Sequence, residues 1–172
     1  MTEEKKPKEQ EKVETKKETP KKEEPKKQPE KKLEDKQEHF AIAKAINVAI
    51  STKQSVEISN FIRKKHIQKA KMLLQEVLDR KKAIPFKRYN RDMGHKPGKI
   101  AAGRYPEKSV NEFLRLLNTV QANAENKGLD TKILIIEEIK ADKGPQQWHY
   151  GRLRRRKMKN TNLFVKVMEK EE

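Results

Sequence analysis

The side chains of this chain best suited to move a proton or hold a metal near neutral pH are its four histidines, His39, His66, His95 and His149. They are scattered, and none has a second ligand or a carboxylate at the spacing a metal site or acid–base pair requires. Cysteine is absent, which removes disulfides, thiolate zinc sites and thiol nucleophiles. Glu137 and Glu138 are adjacent, so in a strand they are expected on opposite faces, where they cannot act together. The glycines from Gly94 to Gly103 lack the strand-to-helix setting of a phosphate-cradling loop, and no G-x-x-x-x-G-K-[ST] motif occurs. These residues imply no catalysis, no metal or other cofactor and no small-molecule substrate.

Two basic segments carry a different chemistry. The first holds Lys81, Lys82, Lys87, Arg88, Arg91, Lys96, Lys99 and Arg104, interleaved with Phe86, Tyr89 and Tyr105. The second holds Arg152, Arg154, Arg155, Arg156, Lys157 and Lys159, just past Trp148, His149 and Tyr150. Cations meet phosphates and aromatic rings stack on splayed bases, so the pattern points to RNA. A nonspecific basic patch would not explain why the second run sits on a long hairpin. The charge distribution agrees. The formal net charge is +17, yet residues 1–38 carry 13 Lys against 12 Asp or Glu, leaving 30 basic and 14 acidic side chains in the remainder. A body that basic repels itself, and a polyanion relieves the repulsion.

The elements that must position these segments are legible from periodicity. From Phe40 to Ile50, large apolar residues alternate with alanines and Asn47, which predicts a strand with one large and one small face. Ser51 reads as the N-cap of a helix running to about Lys64, with Val56, Ile58, Phe61 and Ile62 on its apolar side. A second helix is expected from Ile67 to Arg80, with Ala70, Leu73, Leu74, Val77 and Leu78 at helical spacing. Residues 81–104 are punctuated by Pro85, Gly94, Pro97, Gly98 and Gly103 and read as a long basic loop. Pro106 opens a third helix whose stripe is Val110, Phe113, Leu114, Leu117, Val120 and Ala124, and Gly128 stops it. Leu129 to Lys140 then reads as a strand pairing with a last one through Leu163, Val165 and Val167, the two joined by a long basic hairpin. The fold class is therefore α+β, three helices on a small antiparallel sheet, in one domain over 39–172 with the extended hairpin at 132–167.

Residues 1–38 are Lys, Glu, Gln, Thr and Pro with almost nothing apolar, and they are expected to form a disordered tail. Near-neutral charge favours a solubilising role over an RNA-binding arm. The most apolar stretch, Ala41 to Ile50, is short and interrupted by Lys44 and Asn47, so no membrane partner is expected.

Several motifs, in order, resemble the universal large-subunit ribosomal protein family called L-twenty-two in bacteria and L-seventeen in eukaryotes. They are Ser51 with Lys53, Ile62-Arg63-Lys64, Lys69-Ala70, Ala122-Asn123-Ala124-Glu125, Lys127-Gly128-Leu129-Asp130, Lys143-Gly144-Pro145 and Gly151-Arg152. Pro85-Phe86-Lys87-Arg88, Gly94-His95 and Gly103-Arg104-Tyr105-Pro106 resemble an insertion of its archaeal and eukaryotic branch. The resemblance spans residues 40 to about 167. It implies a non-enzymatic constituent of the cytoplasmic ribosome, an α+β core and a protruding hairpin whose tip lines the nascent-chain exit tunnel. Its implied partners are large-subunit rRNA, neighbouring ribosomal proteins and the nascent polypeptide. Lys53, Arg63, Lys64, His95 and Lys143 would join the basic segments in contacting rRNA, and Gly144, Pro145, Gln146, Gln147, Trp148, His149, Tyr150 and Gly151 would form the tunnel tip. The chain departs from the family at Gln146–Tyr150, where basic residues and a Pro-Arg pair are usual. The alternatives are a free-standing RNA-binding regulator and an RNA-processing enzyme.

Overall fold

The computed structural model describes residues 39–169, so the expectation for the 1–38 tail lies outside them. The order is β1 (Phe40–Val48), α1 (Thr52–Ile62), α2 (Ile67–Leu78), β2 (Ile84–Pro85), β3 (Gly103–Arg104), α3 (Glu107–Asn126), β4 (Leu134–Lys143) and β5 (Thr161–Glu169). Strands β1, β5 and β4 form an antiparallel sheet in that spatial order. The α+β class holds, with three helices packed through one apolar cluster onto a single face of this sheet.

The strand alternation in β1 is as read, and the alanine face is the buried one. Ala41 and Ala43 are buried, while Phe40 and Ile42 are half-exposed and Ile46 is 71% exposed. Small residues here let α3 approach the strand closely: the Asn123 amide donates to the Ile42 carbonyl at 2.8 Å. That bond occupies a carbonyl of an edge strand, which otherwise invites pairing with another chain. Asn123→Ala is expected to cost about 1 kcal/mol, as loss of one such bond does. Denaturant unfolding of the full chain checks this, and an unchanged midpoint would count against the role.

The third helix ends as its sequence suggests. Gly128 has φ 77°, and the amides of Gly128 and Leu129 donate to the carbonyls of Glu125 and Ala124, both at 3.0 Å. This pair of bonds stops a helix through one left-handed residue. Within the helix, Leu116 is buried and Leu114 only partly so, which corrects one member of the stripe. Leu116 belongs to the buried set because the helix is flanked by both β1 and α2, so its apolar arc is wider than one stripe. Pro106 occupies the N-cap rather than the first turn.

Strand β4 begins at Leu134, not Leu129, because Asp130 caps a turn by accepting the Lys132 amide at 2.9 Å. A bulge between Ile136 and Glu138 then sets two residues against one on β5. Glu137 and Glu138 consequently do not split between the faces; both reach lysines on the outer face, Lys166 and Lys140 respectively. Finally, α1 runs from Thr52 to Ile62 and buries Ser55, Glu57 and Ser59 beside Ile58 and Ile62, leaving Val56 and Phe61 only half-buried. Its buried side is broad and partly polar because β4 and the 81–104 segment pack against it from different directions.

Candidate RNA interface

The 81–104 segment is a loop with internal structure rather than a free excursion. Its ends pair as β2 and β3, with Ile84 opposite Arg104 and Pro85 opposite Gly103. The Phe86 amide donates to Ala102 at 3.0 Å, the Lys96 amide to Ala101 at 3.1 Å, and His95 bridges Ala102. Gly103 is needed where the limbs meet, since a Cβ there would lie 3.1 Å from Ile100 Cδ1 and 3.2 Å from Ala83 Cβ.

What pins this loop to the body is Glu57 of α1, only 1% exposed. Its carboxylate accepts the backbone amides of Arg88 and Tyr89 at 2.8 Å each and that of Lys87 at 3.3 Å. Three successive amides on one buried carboxylate fix the direction in which Lys87 and Arg88 leave the backbone. Glu57 has no role legible in the sequence. Its one signal there is an acidic residue flanked by Val56 and Ile58.

The aromatics of the loop pin it as well. Phe86 is 4% exposed and belongs to the core, and Tyr89 and Tyr105 pack against the core half-buried. They are therefore anchors rather than the free stacking platforms expected, because a loop of this charge needs apolar purchase to hold a shape. Cations gather over the rings. Lys53 lies 5.7 Å and Arg88 5.5 Å from the Tyr89 centroid, and Lys96 lies 5.7 Å from that of Tyr105. Lys53 of α1 is thereby joined to the loop.

The remaining basic residues differ in how free they are. Lys81 pairs with Asp79, Lys82 with Glu76 and Arg91 with the adjacent Asp92. Among the described residues no carboxylate pairs with Lys87, Arg88, Lys96, Lys99 or Arg104, and all but half-buried Lys96 are exposed, as is His95. Arg63 is partly engaged, donating to the Ile139 carbonyl at 3.2 Å. Lys64 adopts φ 59° and its amide donates to Ile136 at 3.0 Å, so its backbone extends the edge of β4 while its side chain is exposed.

The hairpin continues past the sheet. Lys143 opposite Thr161 is the last ladder pair, and the Gly144 amide then donates to Asn160 at 3.0 Å. A Cβ on Gly144 would lie 3.2 Å from Asn160 Cβ, so the limbs approach closely at this neck, where Asn160 also donates to the Pro145 carbonyl at 2.9 Å. Beyond exposed Gln146 the limbs pair again. The Met158 amide donates to Gln147 at 2.7 Å and the His149 amide to Arg156 at 2.8 Å, flanking the bridge Trp148–Lys157. A 3-10 turn at Gly151–Leu153 closes the end. Arg152, Arg154 and Arg155 thus sit in the turn itself, with Arg156, Lys157 and Lys159 on the returning limb, all exposed. Trp148 and Tyr150 are 60% and 86% exposed on the outgoing limb.

Helix α1 ties the two basic regions together. At its start the hydroxyls of Thr52 and Thr161 share a 2.9 Å bond, and Thr161 donates to the Ile50 carbonyl at 3.0 Å, fixing the helix to the hairpin neck. One turn on, Glu57 holds the loop. Lys53 stands between these attachments. Among the described residues no group of His, Asp and Glu is placed to hold a metal, and no helix is long and apolar enough to cross a membrane.

Residues 43–168 match the family model described as ribosomal protein L22p/L17e. The large ribosomal subunit protein uL22 of Nanoarchaeum equitans is 44% identical over 137 residues, 74% of this chain and 79% of its own length. That of Methanoregula boonei is 38% identical over 140 residues, 77% of this chain and 91% of its own length. That of Methanoculleus marisnigri is 46% identical over 109 residues, 62% and 71% of the two chains. Matched over most of its length by such relatives, this chain belongs to the ribosomal protein L22p/L17e family, the structural, non-enzymatic uL22 proteins of the large ribosomal subunit.

Proposed function

We propose that the chain binds and stabilises large-subunit rRNA through the 81–104 loop and the hairpin beyond Gly144, and that the hairpin end contributes to the wall of the nascent-polypeptide tunnel. The observation that carries the reading is a pair of exposed basic surfaces, most of whose cations have no carboxylate partner among the described residues, each tied to one helix through Thr52 and Glu57. Lys53, Lys64, Lys87, Arg88, His95, Lys96, Lys99, Arg104 and Lys143 meet rRNA from the body, and Arg152, Arg154, Arg155, Arg156, Lys157 and Lys159 from the hairpin. Arg63 joins them, while Lys81, Lys82 and Arg91 contribute less, since each is already paired with a carboxylate. The mechanism is neutralisation of crowded phosphates by a preshaped surface, without turnover. The RNA-binding domain in this reading is residues 39–172. Neighbouring ribosomal proteins and the emerging polypeptide are the other partners.

The test is ultraviolet crosslinking of purified large subunits followed by mapping of RNA-bearing peptides of this chain. Crosslinks are expected in 81–104 and 143–159 and not on the exposed face of α2. A stalled nascent chain carrying a photoreactive side chain should reach residues 144–151. Crosslinks confined to other surfaces would discard the assignment. Recovery of the chain only in light gradient fractions, bound to a discrete RNA, would favour the free-standing regulator.

A further inference from the structure

The hairpin end carries two large exposed rings for which neither the sheet nor the core has any use. Trp148 and Tyr150 are separated by one residue on an extended limb: Trp148 sits in an antiparallel bridge, and Tyr150 has φ −94° and ψ 172°. Alternate residues of an extended chain project to the same side, about 6.6–6.8 Å apart. Stacked bases lie about 3.4 Å apart, so two rings at twice that spacing leave room between them for one planar base. Both rings stand exposed away from the apolar core, and an exposed apolar patch marks an interaction surface.

The backbone around them is held in place before any ligand arrives. The bonds Met158 to Gln147 and His149 to Arg156 bracket Trp148, making Trp148 and Lys157 a non-hydrogen-bonded pair with closely set side chains. The Lys157 ammonium lies 4.6 Å from the centre of the indole. Gly151, with φ 63°, turns the chain immediately after Tyr150, and the Arg154 guanidinium donates back to the Gly151 carbonyl at 3.2 Å. The turn so formed, Gly151 to Arg156, walls an open basin of about 540 Å³. Four of its six residues are arginines with no carboxylate partner among the described residues. A cationic basin beside a pair of rings provides for both halves of a nucleotide, phosphate in the basin and base at the rings.

We propose that Trp148 and Tyr150 form a clamp for a single unpaired RNA base, with the Gly151–Arg156 turn taking the adjoining phosphates. This rests on the RNA-binding reading above and names the feature of RNA that the hairpin end would recognise: a bulged or looped-out nucleotide rather than continuous duplex. Alternation leaves Gln147 and His149 on the opposite side of the limb, so a base in the clamp and a polypeptide passing the other face do not compete. Stacking tolerates any base, so the clamp selects an unpaired nucleotide and not a sequence.

The probe is a short RNA hairpin carrying 2-aminopurine as a single-nucleotide bulge, with the same hairpin carrying it fully paired as control. Trp148 is the only tryptophan of the chain, so its emission is a second reporter. With the full chain, quenching of the bulged 2-aminopurine and a change in Trp148 emission are expected, with little response from the paired probe. Trp148→Ala and Tyr150→Ala should each abolish the excess quenching and weaken binding of the bulged probe about tenfold, leaving the paired probe bound as before. Tyr150→Phe keeps the ring and should keep the quenching. Both residues are exposed, so these variants are expected to fold, and circular dichroism confirms it. Equal affinity of parent and both alanine variants for the bulged probe would overturn the clamp while leaving RNA binding intact. Absence of binding to either probe at low salt would overturn the RNA reading itself. An unquenched probe together with a Trp148 response to an unstructured apolar peptide would assign the rings to polypeptide instead.

Discussion

Glu57→Ala is expected to destabilise the chain by about 3 kcal/mol and to weaken its binding to RNA, although the substitution makes an already basic protein more basic. The energetic part follows from what the carboxylate does. It is buried, it accepts three amides in a row, and hydrogen bonds to a charged acceptor are worth roughly 1.5–3 kcal/mol where their loss leaves a partner unsatisfied. Detachment of Lys87–Tyr89 would let those amides reach water, so the loss is less than the sum of three bonds. Glu57→Gln keeps the volume and one acceptor oxygen, which can still take the Arg88 and Tyr89 amides, but it sets an NH2 group against the Lys87 amide, so it should lie between parent and alanine. The sign of the RNA effect is the discriminating measurement. If net charge governed affinity, removing a carboxylate would tighten binding. If the placement of Arg88 and Lys87 governs it, binding weakens as the loop loosens. Hydrogen exchange at amides 87–89 separates the causes. Lost protection with lower affinity supports the anchor, whereas unchanged protection and a higher affinity would sink it.

That residue also marks where sequence reading stopped. The helix stripes, the glycine stop at Gly128 and the alternation in β5 are local patterns, and they predict helices and strands because each element shows its own period. Which face of β1 is buried is not a local property. The larger side chains look like the core face, but the spacing of α3 from the strand decides, and alanines fit that gap. The bulge at Glu137 is likewise set by register against β5, so adjacency alone gave the wrong faces for the two glutamates. The basic segments were visible as composition. Their shape was not, because it depends on a carboxylate some thirty positions away in sequence, on threonines that meet across 109, and on rings that proved to be anchors. The division between engaged and free cations, Lys81 and Lys82 against Lys87 and Arg88, is tertiary in the same way. The hairpin aromatics are the converse case. Trp148 and Tyr150 are visible in the sequence and stand exposed in the structure.

Replacing Arg154, Arg155 and Arg156 together by alanine should reduce RNA affinity in a manner that salt exposes. If about ten cations of the two surfaces meet phosphates, the logarithm of the affinity falls with the logarithm of salt at a slope of roughly −7 to −9. Removing three contacts should make the slope shallower by about 2 to 2.7, so the gap between parent and variant shrinks roughly twenty- to fortyfold between 50 and 200 mM monovalent salt. The fold should survive. The three side chains are exposed, and the hairpin end is held chiefly by backbone bonds, including the His149 amide to the Arg156 carbonyl at 2.8 Å. A matched variant, Lys108, Arg115 and Lys132 to alanine, removes the same charge from exposed positions outside both basic segments. Long-range attraction alone would make the two triple variants alike, since both change the net charge equally. Direct phosphate contact at the hairpin end predicts a shallower slope for the arginine variant only, because condensed counterions are released where a cation sits on a phosphate and not where it merely adds to the field. Filter binding of both variants to the same large-subunit rRNA fragment across a salt series decides between them. Equal slopes would move the interface off the hairpin, and a steep parent slope that flattens only without Arg154–Arg156 would place these arginines on the phosphates.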